Sequence, residues 1–569
     1  MIRSAAAPRA QSGAIVGGVL AWMTAVVFFG LIVAAANPLA AYMDAVFTGA
    51  RTPLSTVFAP AEHTIYRLCG IDPAREMTWQ EYARAAVAVT LAGTAALYAL
   101  LRTQAWLPLN PQHFGNVTPE IAWNTAISFA TTTDWQFYSG ENTMSYLSQM
   151  TGLAWQNFIA GAVGCAAGVA VIRGFAREGS NTLGNFWADL VRSVLYVLLP
   201  LAVLTTIALV ATGVPQNLRA YVGVVNGDHV RQLITGGPMA SQEAISLLGG
   251  NGGGFVGANT ASPNLNPDAV SNVIELFAVW LVPAAFPLLF GRMTRNPRAG
   301  AALLAAMIVL AALGFAGAQL AEAHNLEGKE VRFGTAGAGL SLTVASNSGT
   351  GAANATYDSL TPLGGAVALV NMELGEVAFG GVGSGLYGLL VYAVLTVFIC
   401  GLLVGRTPEY LGKKIERREV QFAMIATLVF PALVLTATAV AAAVPAGTAV
   451  LGATGPHGFS EILYAFTSVA ANNGSAMAGL GPNLFYETAT ALVMLGGRFL
   501  VMIPTLALAG TIAQRPTNRL REGLFRTDDA MFVALLVAVT LLVGALTFLP
   551  ADAFGPLADH VTWRAGQLR

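Results

Sequence analysis

The stretch GGNGGGFVGAN, Gly249 to Asn259, is where this chain concentrates residues able to do chemistry with their backbone. Gly252, Gly254 and Gly257 fit G-x-G-x-x-G, the spacing of a phosphate-cradling turn. That turn needs a preceding strand, a βαβ unit and an acid about 20 residues further on. Here a short apolar helical segment precedes Gly252, and SPNLNP follows as the entry to another apolar run. The same pattern recurs at Gly383, Gly385 and Gly388, and a chain with 62 glycines matches so loose an expression by chance. The context for nucleotide binding is missing. The other chemistry of such a loop is to turn successive carbonyls toward one axis, which glycine permits. A ring of those carbonyls replaces the hydration shell of a monovalent cation.

Three more tracts share the order of parts around Gly252. They read TPEIAWNTAISFATTTDWQFYSGE, TAGAGLSLTVASNSGTGAANA and GPHGFSEILYAFTSVAANNGSAMAGL. In three of the four, a proline (Pro119, Pro238 or Pro456) opens an apolar segment of about three turns, too short to span a bilayer. Each segment runs into Thr, Asn, Ser and Gly, and a full span follows. Irregular backbone at membrane depth survives only where it is buried in protein or lines a wet cavity. Four such loops should therefore meet around one axis, with half-helices aiming the negative end of their dipoles at a cation. A single loop of this kind also reads as an ordinary extracellular turn; four with one flanking order argue against it.

The elements that position these loops must be membrane helices. Of 569 residues, 55% are hydrophobic and 10% charged, against about 25% charged in a soluble domain. Ten apolar runs are long enough to cross about 30 Å of hydrocarbon: 13–36, 84–102, 143–173, 187–212, 269–291, 299–321, a long run 361–404, 419–445, 484–513 and 529–549. The first is too long for a signal-peptide core and reads as a retained span. Loops after odd-numbered spans carry Arg51, Arg67, Arg75, Arg84, Arg173, Arg177, Arg192, Arg292, Arg295 and Arg298. Further along they carry Arg406, Lys413, Lys414, Arg417, Arg418, Arg515, Arg519, Arg521 and Arg526. That excess makes these loops cytoplasmic and puts both termini outside, although Arg3 and Arg9 oppose it. Cys69, Cys165 and Cys400 are scattered, which supports neither a disulfide framework nor a transition-metal site. Net charge of −1 says nothing about partners.

Two features inside the apolar runs demand explanation. As one helix, 361–404 would be about 66 Å long, so GGVGSG near its middle is expected to break it, leaving irregular backbone in the membrane. Glu373 and Glu376 stand just before the break. The hinge is either an ion gate or a structural kink, and the adjacent acid favours a gate. Arg498 sits halfway along 484–513, about 20 Å from either end, too far to snorkel. Glu376 is its expected partner, either as a purely structural buried pair or as part of the ion's passage.

With these residues in place, a family resemblance becomes specific. GPMASQEAI, NGGGF, DSLTPLGG, GEVAFGGVGSGLYG, GRTPEYLGKKIE, GPHGFSEILYAF, NNGSAMAGL and VGALTF resemble, in order and over most of the chain, the potassium-binding A subunits of Kdp-type potassium-importing ATPases. The resemblance implies an all-α polytopic protein with four pseudo-repeats of span, pore helix, filter loop and span (84–173, 187–291, 299–404 and 419–513), plus one extra span at each end (13–36 and 529–549). It implies a selectivity filter at Thr132, Thr133, Asp134, Asn251, Gly252, Thr350, Gly351, Asn473 and Gly474, with Gln136 affecting affinity. It implies a gate loop from Gly375 through Gly385, including Gly381 and Gly383, with Glu376 and Arg498 flanking the ion's route. The chain departs from the family at Thr132 and Asp134, where Asn is common, and at Met477, where Phe is common. An acid at Asp134 either raises cation attraction at the mouth or sits protonated.

The implied function is high-affinity potassium uptake across a bacterial inner membrane, with potassium as substrate and no cofactor. No G-x-x-x-x-G-K-[ST] loop, no Asp-Lys-Thr-Gly segment and no long cytoplasmic loop occur, so this chain is not expected to hydrolyse ATP. The resemblance implies a P-type catalytic subunit, a single-span C subunit and a small accessory peptide as partners. Arg406, Lys413, Lys414, Arg417 and Arg418 either touch a partner or are ordinary cytoplasmic charge. The alternatives are a stand-alone potassium symporter or channel of the same superfamily, and a polytopic membrane enzyme, for which no catalytic cluster is evident among the six histidines.

Overall fold

The computed structural model describes residues 7–225, 227–518 and 526–566, with side chains from residue 18 onward. Arg3, Arg519 and Arg521 lie outside the described residues, as does the side chain of Arg9. Among the described residues, ten helices are long and apolar enough to cross a membrane: Gly18–Thr48, Trp79–Trp106, Ser148–Ala176, Phe186–Ala211, Ala269–Met293, Pro297–Glu322, Ser384–Val404, Arg417–Ala443, Leu484–Gln514 and Ala530–Phe554. Each expected apolar run thus contains a helix, with shifted ends. The first helix, Ala7–Thr48, continues well past residue 36 and carries Pro38 inside it. The third spanning helix starts at Ser148 rather than 143, because Gly140–Thr143 forms a separate turn.

Local sequence explains the helix starts. Asp268 accepts from the backbone of Val270 and Ser271 in a capping box, and Asn296, Asn483 and Asp529 each accept one amide, from Ala299, Tyr486 and Phe532. Each such cap satisfies an amide that the first helical turn cannot. The all-α expectation omitted three short antiparallel ribbons, Met77–Thr78 with Thr182–Gly184, Val222–Val225 with Arg231–Ile234, and Glu409–Tyr410 with Lys413–Lys414. All three lie in connections between spans, where hydropathy carries no strand signal.

The ten helices are not equivalent. Helix Ser148–Ala176 has 89% of its apolar window buried, whereas Gly18–Thr48 has 28%, so the former is a central strut and the latter a peripheral element of this chain. Small residues make the centre possible. A Cβ on Gly161 would lie 2.9 Å from the Cα of Gly249, and one on Gly164 would lie 2.5 Å from the carbonyl oxygen of Val382. No side chain fits at either position.

Four shorter helices, Pro119–Ala130, Met239–Gly249, Gly334–Ser346 and Gly455–Ala471, are buried along most of their length. Each leads directly into one of the polar tracts. The long apolar run is broken as expected: helix Pro362–Glu373 ends, residues 374–383 are irregular, and helix Ser384–Val404 resumes. Phe379 in the break has a positive φ of 80° and stacks on Trp280, with ring centroids 4.1 Å apart. Packing against that indole holds a backbone conformation that a bulky residue otherwise avoids.

Candidate functional site

The four polar tracts converge on one point. A Cβ on Gly252 would overlap the carbonyl oxygens of Asn473 and Thr133 and lie 2.8 Å from the amide nitrogen of Gly351. A Cβ on Gly351 would lie 2.5 Å from the Ser475 nitrogen and 2.6 Å from the Gly252 oxygen. Gly474, at φ +96°, faces the Thr133 carbonyl and the Cα of Gly252. Backbone from tracts far apart in sequence therefore meets with no space for side chains, bringing together the carbonyl oxygens of Thr133, Gly252 and Asn473 and the amide nitrogens of Gly351 and Ser475.

Serine fixes how three of the loops leave their helices. The amides of Thr133, Asn251 and Asn473 each donate to the carbonyl five residues earlier, on Ser128, Ser246 and Ser468, at 3.0, 3.0 and 2.9 Å. The serine hydroxyls then bind loop backbone: Ser128 and Ser246 donate to the carbonyls of Trp135 and Gly253, and Ser468 accepts from the Gly474 amide. Ala345 stands at the matching place before Thr350, and its carbonyl instead accepts from Asn473 Nδ2 at 2.8 Å. This serine register was not read from the sequence, although the i, i+5 spacing to the tract is visible there.

Side chains lash the loops to one another. Thr350 Oγ1 donates to the Asn251 carbonyl, and Asn472 Nδ2 donates to Thr133 Oγ1 at 2.9 Å. Gln136 pairs with both polar groups of the Gly254 backbone, donating to its oxygen at 3.1 Å and accepting from its nitrogen at 3.3 Å. Asn259, the last residue of GGNGGGFVGAN, was missed as a site residue. Its Nδ2 lies 2.8 Å from the Gly252 oxygen and 3.2 Å from the Gly351 oxygen, fixing the second and third loops together.

Two expectations need correction. Asp134 is not an acid at an open mouth: it is buried beside Gly253 at φ +50°, and neither carboxyl oxygen has a hydrogen-bond partner. The side chain of Thr132 is turned to Arg498 rather than joining the converging carbonyls. Its hydroxyl accepts from Arg498 at 3.2 Å and lines an adjoining cavity.

That cavity, about 100 Å³, is bounded by Thr132, Gly349, Glu376, Gly381, Asn472 and Arg498 among others. Glu376 and Arg498 face the same space, but among the described residues they form no ion pair. Arg498 is held by Thr132 and by the carbonyl of Ala160 at 2.8 Å. Glu376 accepts from Asn473 Nδ2. The expected pairing is replaced by two neutral acceptors, the Thr132 hydroxyl and the Ala160 carbonyl, and the buried Arg498 Nε is left without a hydrogen-bond partner. Gly381 packs under the second and third loops, its Cα 3.3 Å from where a Cβ on Gly250 or Gly349 would stand. Gly383 and Gly385 turn the chain back into helix, Gly383 at φ +87° against the carbonyl of Gly164.

On the face that the arginine-rich loops share, Arg406 is exposed just after helix Ser384–Val404. Lys414, Arg417 and Arg418 are also exposed. Lys413 is not. Its ammonium is buried and donates to the carbonyls of Gly174, Arg177 and Ile512, where two spanning helices end. It is a structural cap, not a surface for a partner.

Membrane-crossing helices around loops that pool their backbone carbonyls define a polytopic membrane transport protein. A family model described as the potassium-transporting ATPase A subunit matches residues 26–561, and the chain belongs to that family. It is similar to a potassium-transporting ATPase potassium-binding subunit of Methylobacterium nodulans, 50% identical over 560 residues, covering 96% of this chain and 98% of that protein. Proteins of the same description from Granulibacter bethesdensis and Rhodospirillum centenum are 47% and 50% identical. They cover 96% and 95% of this chain and 99% and 97% of their own lengths.

Proposed function

We propose that this chain is the potassium-binding and translocating subunit of an ATP-driven potassium uptake complex, selecting the ion through a backbone filter and passing it to a separate catalytic subunit. The observation that carries this reading is the meeting of Thr133, Gly252, Gly351, Asn473 and Gly474 at one point. Hydroxyl and amide side chains there serve as lashings, which leaves carbonyl oxygens as the groups that meet a dehydrated cation. Four repeats, 84–173, 187–291, 299–404 and 419–513, give each loop the same setting of span, pore helix and span, with 13–36 and 529–549 as additions. The shared serine register in three loops supports that division. Glu376, Gly381, Gly383, Gly385 and Arg498 form the gate at the adjoining cavity.

ATP hydrolysis belongs to a P-type partner, accompanied by a single-span C subunit and a small accessory peptide. Arg406, exposed like Lys414, Arg417 and Arg418, is a basic residue offered to a partner. The complex sits in a bacterial inner membrane with both termini of this chain outside. Reconstitution tests the reading directly: the chain alone binds potassium and releases no phosphate from ATP, and uptake appears only with the catalytic partner. Phosphate release from the isolated chain, or concentrative uptake without a partner, overturns it.

A further inference from the structure

Away from the converging loops, the start of helix Gly455–Ala471 carries His457 and Glu461 one turn apart, a spacing that puts both on one helix face. Asp358, on the short helical turn Tyr357–Ser359 that precedes helix Pro362–Glu373, completes the group. One ligand atom from each of the three lies within 4.8 Å of the others. Glu461 is 1% exposed. Its Oε2 accepts from the Gly452 amide at 3.0 Å, but its Oε1 is buried with no hydrogen-bond partner. A buried carboxylate oxygen left without a partner is costly and calls for one.

The two nitrogens of His457 are engaged differently. Nδ1 lies 2.9 Å from Oδ2 of Asp559, on the terminal helix Pro556–Arg564. That is the length of a charge-assisted hydrogen bond, and it fixes the ring so that Nε2 carries the lone pair outward. A histidine oriented by a carboxylate in this way is the usual support of a metal-bound imidazole. Nε2 lies 3.2 Å from Oδ1 of Asp358. This is long for a charge-assisted bond, but two ligands held about 2.0–2.1 Å from one tetrahedral metal stand about 3.3 Å apart. The Asp358 side chain is 32% exposed, so the group opens to solvent on one side.

We infer that His457 Nε2, Asp358 and Glu461 form a binding site for a first-row divalent cation, with Asp559 orienting the imidazole. One nitrogen and two carboxylate donors suit Zn²⁺, and water on the open side of Asp358 supplies the fourth ligand. The bound ion ties together the turn that follows the third loop, the helix that leads into the fourth, and the terminal helix. It stands apart from the potassium-binding reading, because none of its ligands belongs to the converging backbone.

The test uses the full-length chain, purified without a histidine tag, treated with chelator and given ZnCl₂ or CoCl₂. One equivalent of zinc stays with the wild-type chain through gel filtration, and Co²⁺ gives the visible absorption of a tetrahedral site. Glu461→Gln and Asp358→Asn each lose stoichiometric zinc. Asp358→Asn is the safer variant, because its side chain is partly in solvent. Asp559→Asn weakens zinc binding by about 10–100-fold, as loss of a ligand-orienting carboxylate does elsewhere. Substoichiometric zinc on the wild-type chain overturns the inference, and so does zinc retained equally by all three variants. Either result makes His457 a simple bridge between two aspartates.

Discussion

Asn473 Nδ2 stands 2.9 Å from Glu376 Oε1, joining the fourth converging loop to the break in the long apolar run. The same amide lies 2.8 Å from the Ala345 carbonyl and 2.7 Å from that of Ser348. One side chain thus senses the third loop, the fourth loop and the acid beside the cavity. Asn473→Leu leaves Glu376 buried without its donor, at a cost of about 1–3 kcal/mol. Potassium stimulation of ATP hydrolysis in the assembled complex should fall by about tenfold or more; an unchanged response would detach the acid from ion occupancy.

Gly351→Ser should weaken potassium binding and relax discrimination, because the new Cβ lies 2.5 Å from the Ser475 nitrogen and pushes the Gly252 carbonyl aside. Competition against sodium and rubidium reads this out. Wild-type selectivity would take the third loop out of the filter.

Gln136→Ala removes both bonds to the Gly254 backbone. At about 0.5–1.5 kcal/mol for each bond, potassium affinity should drop by roughly 5–150-fold, with the ion preference order intact. A titration of transport rate against external potassium gives the shift. Loss of selectivity instead would mean that Gln136 shapes the filter rather than supporting it.

Arg498→Gln should leave affinity nearly unchanged and open a passive leak, seen as rubidium flux without ATP. A fixed positive charge 4 Å from the ion, at an effective dielectric of about 20, repels it by about 4 kcal/mol, roughly a thousandfold in passage rate. Tight coupling in the variant would reduce Arg498 to a strut between Thr132 and Ala160.

On the arginine-rich face, burial pushes the Lys413 ammonium down to about 8 from its ordinary 10.5. Between those values the unfolded chain binds more protons than the folded one, so this group makes stability rise with pH across the window. Its contribution is full above 10.5 and lost as pH falls through about 8. The difference in thermal stability between wild type and Lys413→Met should therefore widen from pH 8 toward alkaline pH. A constant difference would show that the ammonium keeps its proton.

Much of the architecture was legible, because hydrocarbon selects for long apolar runs and penalises unpaired backbone. Those two rules located the ten helices, the four tracts and the break at GGVGSG. Partner choice was not legible. Complementary charge suggested Arg498 with Glu376, yet a carbonyl of Ala160 and a hydroxyl of Thr132 took the arginine, while an amide of Asn473 took the acid. Asp134 looked like a mouth residue because position along a tract does not reveal which way a residue with positive φ turns its side chain. Asn259 and the three serines were overlooked because polar residues in a polar tract stand out only once their acceptors are known.

The contacts of the broken segment also give it a direction. Gly164 and Gly168 of helix Ser148–Ala176 lie against Val382 and Gly383 with no room for even a methyl group, whereas Glu376 and Gly381 border the cavity. Residues 374–383 are thus backed by an unyielding wall on one side and face open volume on the other. The cavity is therefore the side on which the segment has room, and two glycines on the neighbouring helix close the other side.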